Sequence, residues 1–186
     1  MSSLQKFHRR TMSLGPMVTW PATSIGGGDV THGYWLGPDG LGTSKLIVAP
    51  KSTETQLLWC PTGTPIVRGT TSTTDGLANT NTLAGFGQAA HPAAYYCKYL
   101  TTGGYNTWYM PAKEELLTMY SNKSATPFVT ANGFNDVPPS FVYYSSTERT
   151  QYGAWNCYFT NGTLNGNYKD TGPSQNWIRA VRRSTI

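Results

Sequence analysis

Turn-forming residues are spaced so closely along this chain that long regular elements have little room. Its 186 residues include 20 Gly and 12 Pro, set among runs of Ser, Thr and Asn, and Gly and Pro end or bend helices and strands. Hydrophobic residues make up 38% and charged ones only 12%. The apolar area must therefore come largely from aromatic rings that carry a polar tip, with 12 Tyr and 6 Trp available. The length suits one well-buried domain with an arm. The expected class is α+β: two short helices, small antiparallel sheets and long loops, preceded by an extended N-terminal arm.

The formal charge is +5, and it collects at the two ends. Lys6, Arg9 and Arg10 lie in the first ten residues, and Arg179, Arg182 and Arg183 near the last. These ends could touch phosphate or an acidic protein surface. Between them acids and bases nearly balance, with no basic stripe, recognition-helix pattern or RNP-like strand, so nucleic acid is not an expected partner. Cys60, Cys97 and Cys157 cannot all pair within one chain and show no CxxC or metal-ligand spacing. They read as buried free thiols of a protein made in a reducing cytoplasm. No apolar run reaches the ~18–20 residues needed to span a bilayer, and no apolar leader opens the chain; membrane insertion is not expected.

Residues 1–24 show no period of 2 or 3.6 and form the expected arm, held by a neighbouring subunit through Lys6, Arg9 and Arg10; residues 25–186 form the domain. Within it, Gly26–Gly28 lacks the Lys-Ser/Thr of a phosphate loop. Tyr34–Leu36, a Pro-Asp-Gly turn at 38–40 and "KLIVAP" at 45–50 predict a hairpin, and Leu57–Trp59 a short strand. Residues 61–90 read as a long loop. "HPAAYYCKYLTTGG" predicts a helix opened by Pro92 and closed at a Gly pair, with Ala94, Cys97 and Leu100 on one face. "MPAKEELLTMYSN" predicts a second, opened by Pro111, with Leu116, Leu117 and Tyr120 on its apolar side and Glu114 and Glu115 as solvated first-turn charges. Adjacent helical residues point about 100° apart, which argues against a catalytic Glu pair. "FVYYSS", "GAWNCYFTNGTLNGNYKD" and "NWIRAVRR" predict an antiparallel meander, with Asn161-Gly162 as a type I′ turn and "WNCYF" as a half-buried alternating strand.

In order, "GGYNTWYMPAKEELLTMY" (103–120), "YYSSTE" (143–148), "AWNCYFTNG" (154–162) and "IRAVRR" (178–183) resemble the C-terminal module of the DUF1566/Lcl type. That pattern runs from a W-Y-L-P helix start through Y-W-S-S-T-E and A-W to a final R-A-V-R strand. "LIVAPKS", "STTDGLANT" and "HPAAYYCKYL" resemble segments of bacteriophage tail-fibre and virion proteins carrying this module. The resemblance covers roughly residues 25–183 and implies a C-type-lectin-like fold. Tyr144 stands where the pattern has tryptophan, Met110 where it has leucine, and Asn106 where aspartate is common. The Glu/Gln-Pro-Asn/Asp triplet and Trp-Asn-Asp strand of calcium-dependent sugar binders are missing, and "NWIRAVRR" fills the latter's place. With 9 acids scattered over the chain, no metal site is expected, nor any cofactor.

Ser145, Ser146, Thr147 and Glu148 invite a catalytic reading, but Ser145 or Ser146 would need a positioned base. The histidines are His8, His32 and His91, and no G-x-S-x-G elbow exists. A polysaccharide hydrolase pairing Glu148 with Glu114, Glu115 or Asp136 is the weakest alternative. As a sugar edge, Tyr143, Tyr144, Trp155 and Trp177 would stack while Asn156, Asn165 and Asn167 hydrogen-bond; Tyr144, Asn156, Asn165, Asn167 and Trp177 are the ligand-facing candidates. The residue types fit internal wiring best. Hydroxyls satisfy loop backbone, Glu148 accepts from Arg179 or Arg182, and Trp155 fills the space beneath. The expected function is that of a non-enzymatic phage virion structural protein, of fibre or capsid-decoration type. Its partners would be capsid or tail proteins and its own copies, in cyclic symmetry with a trimer favoured. Its place would be the virion, assembled in the host cytoplasm. The alternative is an adhesin whose loops, 61–90 and 121–142, recognise a host surface glycan or protein.

Overall fold

The computed structural model describes residues 25–61, 65–125, 128, 133–134, 142–170 and 176–184. The expected arm, with Lys6, Arg9 and Arg10, lies outside them, as does Asp136 and most of the 121–142 loop.

Two sheets carry the fold, and the chain visits one, builds the other, then returns. The first sheet orders β1 (Gly28–Asp29), β2 (Gly33–Pro38), β3 (Lys45–Val48) and β9 (Val181–Ser184), with neighbours antiparallel. Its β2–β3 hairpin closes over the expected Pro-Asp-Gly turn, where Asp39 Oδ1 accepts from the amides of Thr43 at 2.8 Å and Ser44 at 3.0 Å. The second sheet orders β4 (Thr55–Gln56), β8 (Asn176–Ile178), β5 (Val142–Glu148), β6 (Gly153–Tyr158) and β7 (Leu164–Tyr168).

The expected meander needs three corrections. "NWIRAVRR" divides between the sheets, β8 joining one and β9 the other, and β8 lies parallel to β5. Asn161-Gly162 is not a type I′ turn, which would need positive φ at both residues. Only Gly162 has it, at 77°, and the amides of Asn161 and Gly162 both donate to the Tyr158 carbonyl. Third, "WNCYF" does not alternate, because Asn156 and Cys157 are both buried while Trp155 and Tyr158 are half-buried. The centre of the sheet is largely covered on both faces, while its edge strand β7 leaves Asn165 and Tyr168 exposed. The short strand predicted at 57–59 falls instead at Thr55–Gln56.

A helix the sequence does not announce fills part of the supposed 61–90 loop: α1 (Gly76–Gly85). Asp75 caps it, accepting from the Ala78 amide at 3.1 Å. Its inner face is partly polar, which is why no apolar period betrays it. Buried Asn79 donates to the Ser72 carbonyl at 2.7 Å, and buried Thr80 to that of Met110 at 3.1 Å. The expected α2 (Pro92–Lys98) and α3 (Lys113–Ser121) are present. Pro92 opens α2, and Ala94 and Cys97 are buried. In α3, Leu116 and Met119 are buried, and so is Glu115, against the expectation of a solvated first turn.

The core is aromatic and has two lobes. One gathers Trp59, Leu83, Ala94, Cys97, Trp108, Tyr144 and Ile178; the other gathers Tyr34, Leu46, Leu116, Phe128, Tyr143, Phe159 and Val181. Successive residues of a strand point to opposite faces, so Tyr143 and Tyr144 enter different lobes and β5 is buried from end to end. All three cysteines are free and buried. Burial raises the thiol pKa of both Cys97 and Cys157, the latter to about 12.

The two glycines bounding α1 should respond oppositely to alanine. A Cβ at Gly76 would lie 2.5 Å from the Ala112 nitrogen and 2.7 Å from the Met110 carbonyl oxygen, whereas one at Gly85 meets nothing within 4 Å. Gly76→Ala should cost about 2 kcal/mol or more, and Gly85→Ala should stabilise by about 0.5–1 kcal/mol. Urea unfolding of the two variants checks the opposite signs.

Candidate functional site

The Ser-Ser-Thr-Glu segment ends β5 at a break in its ladder with β6. Tyr144 pairs with Asn156 and Glu148 with Ala154, so β5 carries two extra residues across that interval. The bulge takes residues 145–147 out of the ladder and turns much of their hydrogen bonding toward neighbouring loops. Ser145 Oγ donates to the Trp155 carbonyl at 2.8 Å, while its own carbonyl accepts from Trp59 Nε1 at 3.0 Å. The Ser146 amide and hydroxyl both reach the Pro111 carbonyl, at 2.8 and 3.2 Å. Thr147 Oγ1 donates to the Ser72 carbonyl at 2.8 Å and accepts from the Lys113 amide at 3.0 Å. These side chains are 0–1% exposed.

Glu148 does not pair with Arg179 or Arg182. Its carboxylate accepts from the backbone amides of Arg68 at 2.8 Å and Thr70 at 3.0 Å, and from Lys169 Nζ at 2.6 Å. Both charged side chains are only 4% exposed. Burial alone would raise the Glu148 pKa, but these donors outweigh it and hold the carboxyl below its ordinary value. Lys169 also donates to the Ile66 carbonyl and lies 4.7 Å from the Trp59 ring centroid. Beside it, buried His91 donates from Nδ1 to the Trp59 carbonyl and accepts at Nε2 from Arg68 Nε. That arrangement requires the neutral ring, and burial lowers the His91 pKa accordingly.

The C-terminal arginines are internal, not a basic surface patch. Arg179 is fully buried, bonding the Ala49 carbonyl at 2.7 Å and Glu54 at 2.8 Å. Arg182 lies over Tyr105, 3.6 Å from its ring centroid, with Trp108 behind at 5.4 Å. Arg183 meets three carboxylates: Asp39 at 2.8 Å, Asp75 at 3.0 Å and Glu115 at 3.5 Å. Glu115 also accepts from Tyr109 Oη at 2.8 Å and the Ala112 amide at 2.9 Å. Burial raises its pKa despite those bonds. Glu115 and Glu148 thus shift in opposite directions, and each carboxylate is taken up by its own buried partners; Glu148 borders a small hollow of about 130 Å³ with Val67, Thr71 and Arg149, and Glu115 does not line it.

The ligand-facing candidates separate into core and rim. Tyr144 is buried, its hydroxyl donating to the Tyr168 carbonyl. Asn156 is buried too: in the amide orientation that satisfies its neighbours, its oxygen accepts from Asn167 Nδ2 at 2.9 Å and its nitrogen donates to the Asn165 carbonyl at 3.3 Å. Trp177 is half-buried against the second lobe. Asn165 is exposed and Asn167 half-buried. Trp155 fills no space beneath the motif. It lies half-buried toward the surface, with Lys113 Nζ and Arg149 Cζ at 5.0 and 4.9 Å from its ring centroid. Arg149 passes over Gly166 and, with Tyr152 and Tyr168, borders a hollow of about 230 Å³. Sequence reasoning missed Lys169, Asp39, Asp75 and Glu54, whose partners lie far away in the chain and carry no local signal. Among the described residues no group of three or more His, Cys, Asp or Glu could hold a metal ion, and no helix is long and apolar enough to cross a membrane.

The sequence profile of the Lcl C-terminal domain matches residues 51–182, spanning the Ser-Ser-Thr-Glu hub and all three helices. No curated protein matches the chain.

Removing the Glu148 charge would leave Lys169 buried without its carboxylate. Glu148→Gln should therefore cost about 3–5 kcal/mol near neutral pH. Because the folded pKa is depressed, the stabilisation by Glu148 is present above its ordinary value of 4.5 and fades as pH falls through the folded value. The gap between wild type and variant should narrow on acidification, as urea melts from pH 7 down to pH 3 would show.

Proposed function

This chain belongs to the Lcl C-terminal domain family, and from that premise we propose that it is a non-enzymatic structural protein of a bacteriophage particle. Residues 25–186 are the displayed domain, with a C-type-lectin-like fold, and residues 1–24 anchor it to capsid or tail proteins and to its own copies, as a trimer. The observation that carries the non-enzymatic reading is the engagement of Ser145, Ser146, Thr147 and Glu148, each buried and bonded to backbone, Ser145 to β6 and the others to loops. A nucleophile or general acid must reach a substrate within hydrogen-bond distance, and these groups face inward. The family membership supports a surface or structural role. The segments around 45–51, 72–80 and 91–100, similar to phage virion proteins, supply the particle.

A second reading, a receptor-binding adhesin, draws on the half-buried Trp155 flanked by Lys113 and Arg149, and on exposed Tyr152 and Tyr168 beside it. Aromatic rings with adjacent cations on a rigid sheet suit recognition of a host surface.

Deleting residues 1–24 should leave a folded domain by circular dichroism yet abolish its incorporation into particles. Normal incorporation would sink the anchoring role. Antibody-fragment labelling of intact particles separates the two readings: label at repeated head positions supports capsid decoration, and label at fibre tips with infection blocked by free protein supports the adhesin.

A further inference from the structure

The face formed by α2 and the residues after it has a chemistry that neither the hub nor the Trp155 rim shares. Tyr99, at the C-terminal cap of α2, is 58% exposed. Its ring packs at 42° against Tyr95, with centroids 4.4 Å apart, so it projects yet is braced. Tyr96 is tied down from below by its hydroxyl, which donates to the Thr53 carbonyl at 2.7 Å. Two hollows of about 370 and 290 Å³ adjoin here, sharing Tyr99, Leu100 and Thr101. Together they reach the scale of small-ligand clefts, roughly 300–1,000 Å³.

The lining decides the ligand class. The larger hollow has Tyr95, Tyr96, Leu57 and Pro92 as walls, with the Gln88 amide at its rim and no charged residue. The smaller sets Leu77 and Trp108 against Asn81, Asn106 and Thr107, with Lys98 its one charge. Asn81, Gln88, Tyr99, Thr101, Asn106 and Thr107 are exposed. Aromatic faces beside uncharged amides and hydroxyls complement a molecule with apolar C–H faces and a periphery of neutral hydroxyls. A phosphate or sulfate ester would call for converging cations, and a basic ligand for carboxylates; neither lines these hollows. A purely apolar ligand would strand the amides.

We propose that this face is a binding site for a neutral oligosaccharide. One sugar ring stacks on the Tyr95–Tyr99 pair while its hydroxyls meet Gln88 and Thr101, and the next crosses Tyr99 to Asn81, Asn106 and Thr107. The site lies apart from the Trp155 rim, and it stands whether the protein decorates a capsid or tips a fibre.

The test titrates the full chain, by calorimetry and by ¹H–¹⁵N spectra, with maltopentaose, cellopentaose, mannopentaose and N-acetylchitopentaose. A hyaluronan hexasaccharide and sialyllactose serve as acidic probes. At least one neutral probe should bind saturably, with a Kd of about 1 mM or below. Tyr99→Ala should weaken it tenfold or more, as should Asn106→Ala combined with Gln88→Ala. All these side chains are exposed, so the thermal midpoints should match wild type. Tyr168→Ala, on the other rim, should leave binding unchanged. Silence with every neutral probe, preference for the acidic ones, or binding that survives Tyr99→Ala but not Tyr168→Ala would overturn the proposal. So would blank titrations together with a change of oligomeric mass in Tyr99→Ala, which would make the face a subunit contact.

Discussion

The fold depends on a strand that is buried on both faces and yet does not pair along its whole length. β5 sends Tyr143 and Tyr144 into opposite lobes of the core, so no face is left for water. Residues 145–147 then leave the ladder with β6 through the bulge, and pairing resumes at Glu148. A buried backbone group without a partner is costly. Around this bulge the partners come from the 66–72 segment, the start of α3 and the indole of Trp59. Ser, Ser, Thr and Glu are the short polar residues able to satisfy and be satisfied by backbone at such close range. The motif is a knot that ties loops distant in sequence to one strand.

The same logic explains the economy of charge. The chain has 9 acids and 14 Lys and Arg, and among the described residues several acids whose side chains are only 0–4% exposed stand in ion pairs. Glu54 bonds both Lys51 and Arg179; Glu148 holds Lys169; Asp39, Asp75 and Glu115 surround Arg183. Buried pairs of this kind give little net stability over apolar packing, but breaking one is severe. Their contribution is positional. Several reinforce junctions that the sheets make, such as residue 54 to residue 179 beside the β4–β8 ladder and residue 39 to residue 183 beside β3–β9. A loop-rich chain with short elements needs that kind of tie more than a helical bundle does.

What the sequence disclosed follows from how local each signal is. The Asp39 hairpin, Pro92 at the head of α2 and the buried thiols rest on residues acting within a few positions of themselves. The inward hydrogen bonding of Ser145–Glu148 is legible too, since hydroxyls and a carboxylate set among loops suit backbone partners. The partner of Glu148 is not. The arginines of the last strand look the natural choice by charge, yet the protein uses Lys169, just past β7, whose place at the end of the predicted meander carries no sign of that pairing. α1 stayed hidden because Asn79 and Thr80 occupy positions where a helix usually shows apolar residues. Asn156 and Tyr144 look available to ligand because period-2 alternation assumes one wet face, whereas β5 is buried throughout and on β6 it is Trp155 and Tyr158, not Asn156, that are half-buried.

That double covering bears on where recognition can occur. In a sheet with one solvated face, a ligand site would be read from outward-facing strand residues. Here the described central strands β5 and β6 offer almost none, so recognition falls to the rims: the β6–β7 edge with Trp155 and Tyr168, and the end of α2 with Tyr99. Half-buried Trp155 and exposed Tyr168 and Tyr99 stand on elements tied to the hub, since Trp155 lends its carbonyl to Ser145 and His91, at the head of α2, bonds the Trp59 carbonyl. A side chain at either rim can change without leaving a buried donor unpaired, whereas a change at Ser146 or Glu148 cannot. Among the described residues, substitutions are therefore tolerated better at the rims than at the hub, which holds their geometry.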